Sequence, residues 1–398
     1  MLRIALLMLV ALLCLVQTAL ARGAPGPEFS AAELKRILAL GPWPPRLPPD
    51  PSNRVSGQAL AIELGRRLFR DPRMSPVGYI ACVTCHQPDR SFTDQKARAH
   101  GLADLPRNTP ALANLRLQHW FGWGGSSDSL WMASIRPMLD AREFDSNPRI
   151  IARIFERDKE LAACYVGVFR VSPLRDLQRT TTNVGKALAA YIETFVTGRT
   201  PFDDFRAALL RNNAASVPPY PVAAQRGLKL FIGQAGCVAC HNGPNFSDGE
   251  FHAGRVPAGA DAAGVAGVDT GRLEGARMLK ASRFNLLGPY NDDPTLSNAK
   301  ATRRLVVEEN ARGQYRTPSL RNVAVTAPYM HNGQVEQLQD AVRHVQQWPR
   351  GRTTETPAPL AAHQVDDLTA FLLTLTDQYG ERRPWSSTAM TECPKARD

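Results

Sequence analysis

Leu64-Gly65-Arg66-Arg67-Leu68-Phe69 stands ahead of Cys82-Val83-Thr84-Cys85-His86, and Arg226-Gly227-Leu228-Lys229-Leu230-Phe231 stands ahead of Cys237-Val238-Ala239-Cys240-His241. The same element is written twice. A Phe-hydroxyl-Asp step follows each copy, as Phe92-Thr93-Asp94 and Phe246-Ser247-Asp248. Further on, Asn108-Thr109-Pro110-Ala111-Leu112 has an echo in Arg316-Thr317-Pro318-Ser319-Leu320. The register then holds without a gap. Trp123 lies 13 residues beyond Pro110 and His331 lies 13 beyond Pro318, each followed two positions later by a glycine and seven later by Leu130 or Leu338. Fixed spacing of this kind predicts two similar domains.

Between and after the copies the apolar residues fall at helical spacing: Val184, Ala187, Leu188, Tyr191, Ile192 and Phe195 form one face, and Val365, Leu368, Phe371, Leu372 and Leu375 another. Strand-like alternation is scarce. The Pro/Asn/Ala-rich stretch 211–222 reads as a linker and the Gly/Ala-rich stretch 253–268 as a long surface loop. The expected fold is mostly α and loop-rich, with an N-terminal domain over residues 22–210 that includes part of the connecting helices, a C-terminal domain over 223–378, and a tail over 379–398.

Residues 1–21 have the charged start, short apolar middle and Ala19-Leu20-Ala21 end of a secretory signal, so the mature chain is expected outside the cytoplasm. No later stretch approaches the ~20 apolar residues that a membrane span needs. With 48 Lys+Arg against 37 Asp+Glu, the formal charge of +11 favours acidic partners, such as an anionic face on a small redox protein. The basic residues are scattered as on a solvated surface, and there is no nucleic-acid signature beyond the charge. Of seven cysteines, Cys14 leaves with the signal and four sit in the two motifs; whether Cys164 and Cys393 pair depends on a geometry that sequence does not give.

Two thiols three positions apart can each form a thioether to a haem vinyl group, and the histidine that follows reaches the iron as its proximal ligand. Zinc would require four ligands per site, and a thioredoxin-like pair would need neither the histidine nor a second copy. Cys82, Cys85 and His86 are therefore read as one attachment site for haem c, and Cys237, Cys240 and His241 as a second.

From about Leu60 to Leu375 the chain resembles the bacterial di-haem cytochrome c peroxidases and their MauG-type relatives. The resemblance rests on Leu64–Phe69, both haem motifs, Arg107-Asn108-Thr109-Pro110, Phe121-Gly122-Trp123-Gly124-Gly125, and Arg316–Asn322 leading into Thr326-Ala327-Pro328-Tyr329-Met330-His331-Asn332-Gly333. It implies two cytochrome c-like haem domains, the first peroxidatic and the second electron-transferring, with Trp123 as the relay between them. It further implies Glu143 as the distal carboxylate that moves a proton, and His100 as a displaceable distal ligand of the first haem. A calcium ion between the domains would be held at Asn108, Thr326 and Pro328, by oxygen ligands suited to a hard cation. The partners implied are hydrogen peroxide and a small periplasmic electron donor, such as a monohaem cytochrome c or a cupredoxin, with a homodimer as a candidate assembly.

Two positions depart from the family pattern. Where the second haem takes a distal methionine, or a tyrosine in MauG-type proteins, this chain has Val345, which cannot coordinate iron; Pro137 occupies the matching repeat position. His344 next door, Met278, Met330 or a five-coordinate iron are the alternatives, with His344 requiring a helical rotation of about 100°. The glutamine that accompanies the distal glutamate is replaced by Ala133. The expected function is a periplasmic peroxidase; the alternatives are a MauG-like oxidase of a partner protein and a non-enzymatic di-haem electron carrier.

Overall fold

The computed structural model describes residues 26–211, 220–253, 269–346, 359–377 and 392–394. The expected signal peptide, the centre of the 211–222 linker, nearly all of the 253–268 loop and most of the tail lie outside the described residues. In chain order the helices are α1 (Ala31–Leu38), α2 (Ala59–Phe69), α3 (Cys82–Cys85), α4 (Leu130–Leu139), α5 (Pro148–Arg157), α6 (Lys159–Phe169), α7 (Leu177–Ile192), α8 (Pro201–Leu210), α9 (Val222–Ile232), α10 (Arg272–Ala281), α11 (Lys300–Arg304), α12 (Leu338–Val345) and α13 (Ala362–Leu373). A two-stranded antiparallel ribbon pairs β1 (Phe251–Ala253) with β2 (Gln314–Arg316), Phe251 opposite Arg316.

Both predicted apolar faces are buried in full. Val184 through Phe195 line α7 and its exit, and Val365 through Leu375 line α13 and its exit. Each of these helices receives a glycine from its partner. Gly65 of α2 lies against the Ala187 carbonyl and the Tyr191 side chain, and Gly227 of α9 lies against the Asp367 carbonyl and the Phe371 side chain. Any side chain there would strike backbone, so the Leu-Gly-Arg-Arg-Leu-Phe and Arg-Gly-Leu-Lys-Leu-Phe segments are helix crossings at close approach.

Two cores form around these crossings. Leu64, Phe69, Phe92, Trp131, Tyr165, Leu188 and Phe195 belong to the first. Phe202, Leu228, Phe231, Phe246, Leu368 and Phe371 belong to the second. They borrow from each other's part of the chain. Ile37 and Leu40, from α1 and the residues after it, lie in the second core, while Leu279, Phe284, Leu286 and Ala299, from the 272–304 excursion, lie in the first. Polar ties fix that excursion. Lys186 Nζ meets Asp292 at 2.6 Å, and Asp128 Oδ2 accepts from Leu286 N at 2.9 Å and Thr302 Oγ1 at 2.7 Å. Cys164 and Cys393 form a disulfide, which anchors the tail to the first core.

The repeat register has a geometric counterpart. Asn108 and Arg316, like Trp123 and His331, are 208 positions apart. Asn108 N donates to His331 O at 2.7 Å, and Arg316 N donates to Trp123 O at 2.9 Å, so the two bonds are reciprocal. The bridge between Phe121 and Ser127 recurs between Tyr329 and Val335. Asn114 and Asn322 both adopt the left-handed conformation that asparagine tolerates better than most residues, at φ 62° and 59°. Their N–H groups reach the ends of the two long helical segments, at Phe195 O and Leu375 O.

Candidate haem-attachment and peroxide site

α3 is a single turn, which sets Cys82 and Cys85 on one face. Its C-terminal neighbour His86 donates its backbone N–H to Cys82 O at 2.9 Å, and its Nδ1 lies 3.0 Å from Phe92 O. A carbonyl can only accept, so Nδ1 carries the proton and Nε2 is the nitrogen available to an iron. The second motif repeats this: His241 N donates to Cys237 O at 2.9 Å and Nδ1 lies 3.0 Å from Phe246 O. Burial pushes both imidazoles below their ordinary pKa, toward the neutral form that ligates. Burial also pushes the thiols of Cys82 and Cys85 up, to about 12 and about 11. None of the four motif cysteines is in a disulfide. The donor set fits covalent haem at both motifs.

Beside the first motif, two loops pack into one unit. Leu102 N and Ala103 N both donate to Arg142 O, at 2.8 and 3.0 Å, which brings the His100 loop onto the Glu143 loop. The His100 carbonyl lies 3.7 Å from Cys85 Sγ, while its ring is exposed with Nδ1 2.6 Å from Asp104 Oδ1. Glu143 is close enough for its charge to act on both Cys82 and Cys85, and its Oε1 accepts from an Arg136 nitrogen at 3.0 Å. Arg136 was not singled out from the sequence; it lies on α4 between Ala133 and Pro137.

Between the halves, Trp123 Nε1 donates to Asn108 O at 2.9 Å. The Asn108 side chain donates to Lys96 O at 2.7 Å. His331 stacks on Tyr315 with ring centroids 3.6 Å apart and planes 13° from parallel, and burial lowers its pKa to about 4. Arg107 clamps Asp269 through two bonds of 2.8 and 2.6 Å, and that ion pair joins the first half to the second. Thr326 and Pro328 belong to the segment edging a cavity of about 380 Å³, whose walls include Ala97, Ala327, Pro328, Gly333 and Glu336.

Residues 59–209 match the family model described as di-haem cytochrome c peroxidase. The methylamine utilization protein MauG of Methylorubrum extorquens is 30% identical over 355 residues, spanning 87% of this chain and 86% of that protein. This chain belongs to the di-haem cytochrome c peroxidase and MauG family. It is accordingly an oxidoreductase of the haem c type. Cytochrome-c peroxidase IdrP2 of a Pseudomonas species is 29% identical over 344 residues, 85% of each chain. The fold matches the diheme peroxidase BthA of Burkholderia thailandensis with a TM-score of 0.62 at 24% identity, over 86% of this chain and 91% of that one.

Within this family member the residues weighed as ligands of the second iron are dispersed. His344 and Val345 are half-buried at the end of α12, and burial lowers the His344 pKa. Met330 is half-buried with a φ of 70°, and Met278 is 41% exposed on α10, whose partners are β2 and the 309–311 turn. His252, which had no sequence signal, sits with Asp248 at 2.7 Å beside Cys240, and that hydrogen bond raises its pKa to about 10.

Proposed function

We propose that this chain is a periplasmic di-haem peroxidase that reduces hydrogen peroxide at the first site with electrons delivered through the second. Cys82, Cys85 and His86 would hold the first haem c, and Cys237, Cys240 and His241 the second, in two cytochrome c-like domains over residues 22–210 and 223–378. Bound there, haem iron supplies the redox centre and, where one axial face is open, a binding site for peroxide.

The observation that carries this assignment is an asymmetry. Glu143 stands beside the first pair of attachment thiols, while the position 208 residues on is Gly351. Reduction of peroxide needs a group that takes a proton from one oxygen and returns it to the other, and Glu143 is that group at the first site. Trp123 would couple the two haem sites: its Nε1 donates to Asn108 O, and the Asn108 backbone N–H donates to His331 O in the second half. His100, exposed on a loop, would be a displaceable ligand of the first iron, and His344 would be a ligand of the second. Asn108, Thr326 and Pro328 supply oxygens for a calcium ion at the junction. A small redox protein is the electron donor, met by the basic surface. The disulfide supports an oxidising compartment, and no helix among the described residues is long and apolar enough to cross a membrane.

Similarity to MauG favours a second reading, oxidation of a partner protein, although Val345 supplies neither the methionine of the peroxidases nor the tyrosine of MauG-type proteins. Visible and electron-paramagnetic-resonance spectra of the mature protein, fully oxidised and after one electron, each with stoichiometric peroxide, separate the readings. A peroxide response only after one electron supports the peroxidase, and a response in the fully oxidised protein supports the MauG-like oxidase. Two low-spin haems inert in both states would refute both.

A further inference from the structure

The geometry points to Arg136 as a positioning residue that holds Glu143 in place and keeps a fixed positive charge over the open face of the first haem site, stabilising an anion bound there. This rests on the first site being the one that admits exogenous ligands. α4 divides into two faces. Leu130, Trp131, Met132, Ile135 and Met138 are buried in the first core, while Ala133, Arg136 and Pro137, at i, i+3 and i+4, form a half-buried stripe whose Ala133 also packs against that core. That stripe carries Ala133, at the position of the family's distal glutamine, and Pro137, the repeat counterpart of Val345, and Arg136 lies between them.

The guanidinium bridges two acids. One terminal nitrogen is 3.0 Å from Glu143 Oε1 and the other is 3.7 Å from Asp140 Oδ2, a carboxylate that Arg142 also engages at 2.9 Å. With side chains 36% and 19% exposed, the Arg136–Glu143 pair contributes little to stability. Its placement is better explained by what it does to the pocket. Arginine has five N–H donors and cannot lose its charge, and only one of its contacts here is a hydrogen bond, so donors remain for an incoming anion. Ala133 removes the amide that the family pattern places in this pocket, and the guanidinium one turn on supplies donors in its stead.

The repeat sharpens the contrast. The residue 208 positions beyond Arg136 is His344, at the corresponding place on α12. An imidazole can close an iron's distal face, whereas a guanidinium has no lone pair to offer and leaves that face open while charging it. The same helix position thus carries a side chain able to ligate iron in one half and a non-ligating cation in the other.

The test uses the mature protein with both haems attached, in the one-electron-reduced state, titrated with azide and separately with neutral imidazole while the visible spectrum is followed. Arg136→Ala is expected to weaken azide binding by roughly tenfold or more while imidazole binding stays within about twofold, and Arg136→Lys to recover most of the azide affinity. If wild type and Arg136→Ala bind azide alike, the proposal is overturned and the peroxidase reading stands. Equal weakening of azide and imidazole also overturns it, because a collapsed pocket would act on both. If the wild-type protein binds neither ligand in any redox state, the open first site fails and the proposal falls with it.

Discussion

Removing one partner of the Asp203–Arg321 pair should destabilise the protein more than removing both. Arg321 and Asp203 have 0% and 2% of their side-chain surface exposed and share two bonds of 3.0 Å. The Arg321 guanidinium lies 3.6 Å from the Trp43 ring centroid, and its Nε donates to Pro244 O at 2.6 Å, within the loop that connects His241 to Phe246. Arg321→Met leaves a buried carboxylate with only its bonds from Thr200 N and Oγ1. An uncompensated buried charge of this kind costs about 3–5 kcal/mol. For a protein this large the thermal midpoint should fall by about 4–6 °C. Adding Asp203→Asn removes the stranded charge, so the double variant should recover at least ~1 kcal/mol of the loss. Thermal unfolding of the haem-loaded proteins, followed by circular dichroism near neutral pH, measures all three. An Arg321→Met midpoint within a degree or two of wild type, or a double variant no better than the single, would refute the reasoning.

Glu193 offers a pH test. Burial raises its pKa from 4.5 to about 7, against the opposing hydrogen bond from Ser56 Oγ at 2.5 Å. An acid held protonated in the fold binds more protons folded than unfolded between those two values, so its contribution to stability falls as pH rises from about 4.5 to 7. Glu193→Gln should flatten that slope and stabilise the protein by about 1–3 kcal/mol at alkaline pH, and denaturant titrations at several pH values will show whether the slope changes. Cys164→Ser opens a loop of 229 residues and should cost about 2–5 kcal/mol in urea unfolding under oxidising conditions, with no loss in reductant.

Much of the fold was written in the sequence because it is periodic. The two apolar faces, both Cys-x-x-Cys-His motifs and the matched register each have a spacing that survives without coordinates; the apolar faces are buried as expected, and the register coincides with the paired bonds at Asn108 and Arg316. What escaped was set by contacts between distant residues that carry no period. Nothing in the sequence around Asp292 announces that its carboxylate reaches Lys186, so the crossing of the 272–304 excursion into the first core was not legible. The Cys164–Cys393 pairing stayed open because it depends on a Cα separation, here 4.9 Å. Arg136 was passed over for a related reason. An arginine on a helix reads as solvated surface until the loop carrying Glu143 is seen to fold back onto it.

The reciprocal bonds Asn108 N to His331 O and Arg316 N to Trp123 O are made wholly by peptide groups. Those two bonds themselves do not depend on which side chains the four residues carry. Indole and imidazole occupy equivalent places, and neither is needed for these two bonds, although the Trp123 indole adds one of its own to Asn108 O. After a duplication, such a joint would let the twin centres drift apart chemically while keeping their mutual distance, so that specialisation need not wait for the architecture to be rebuilt.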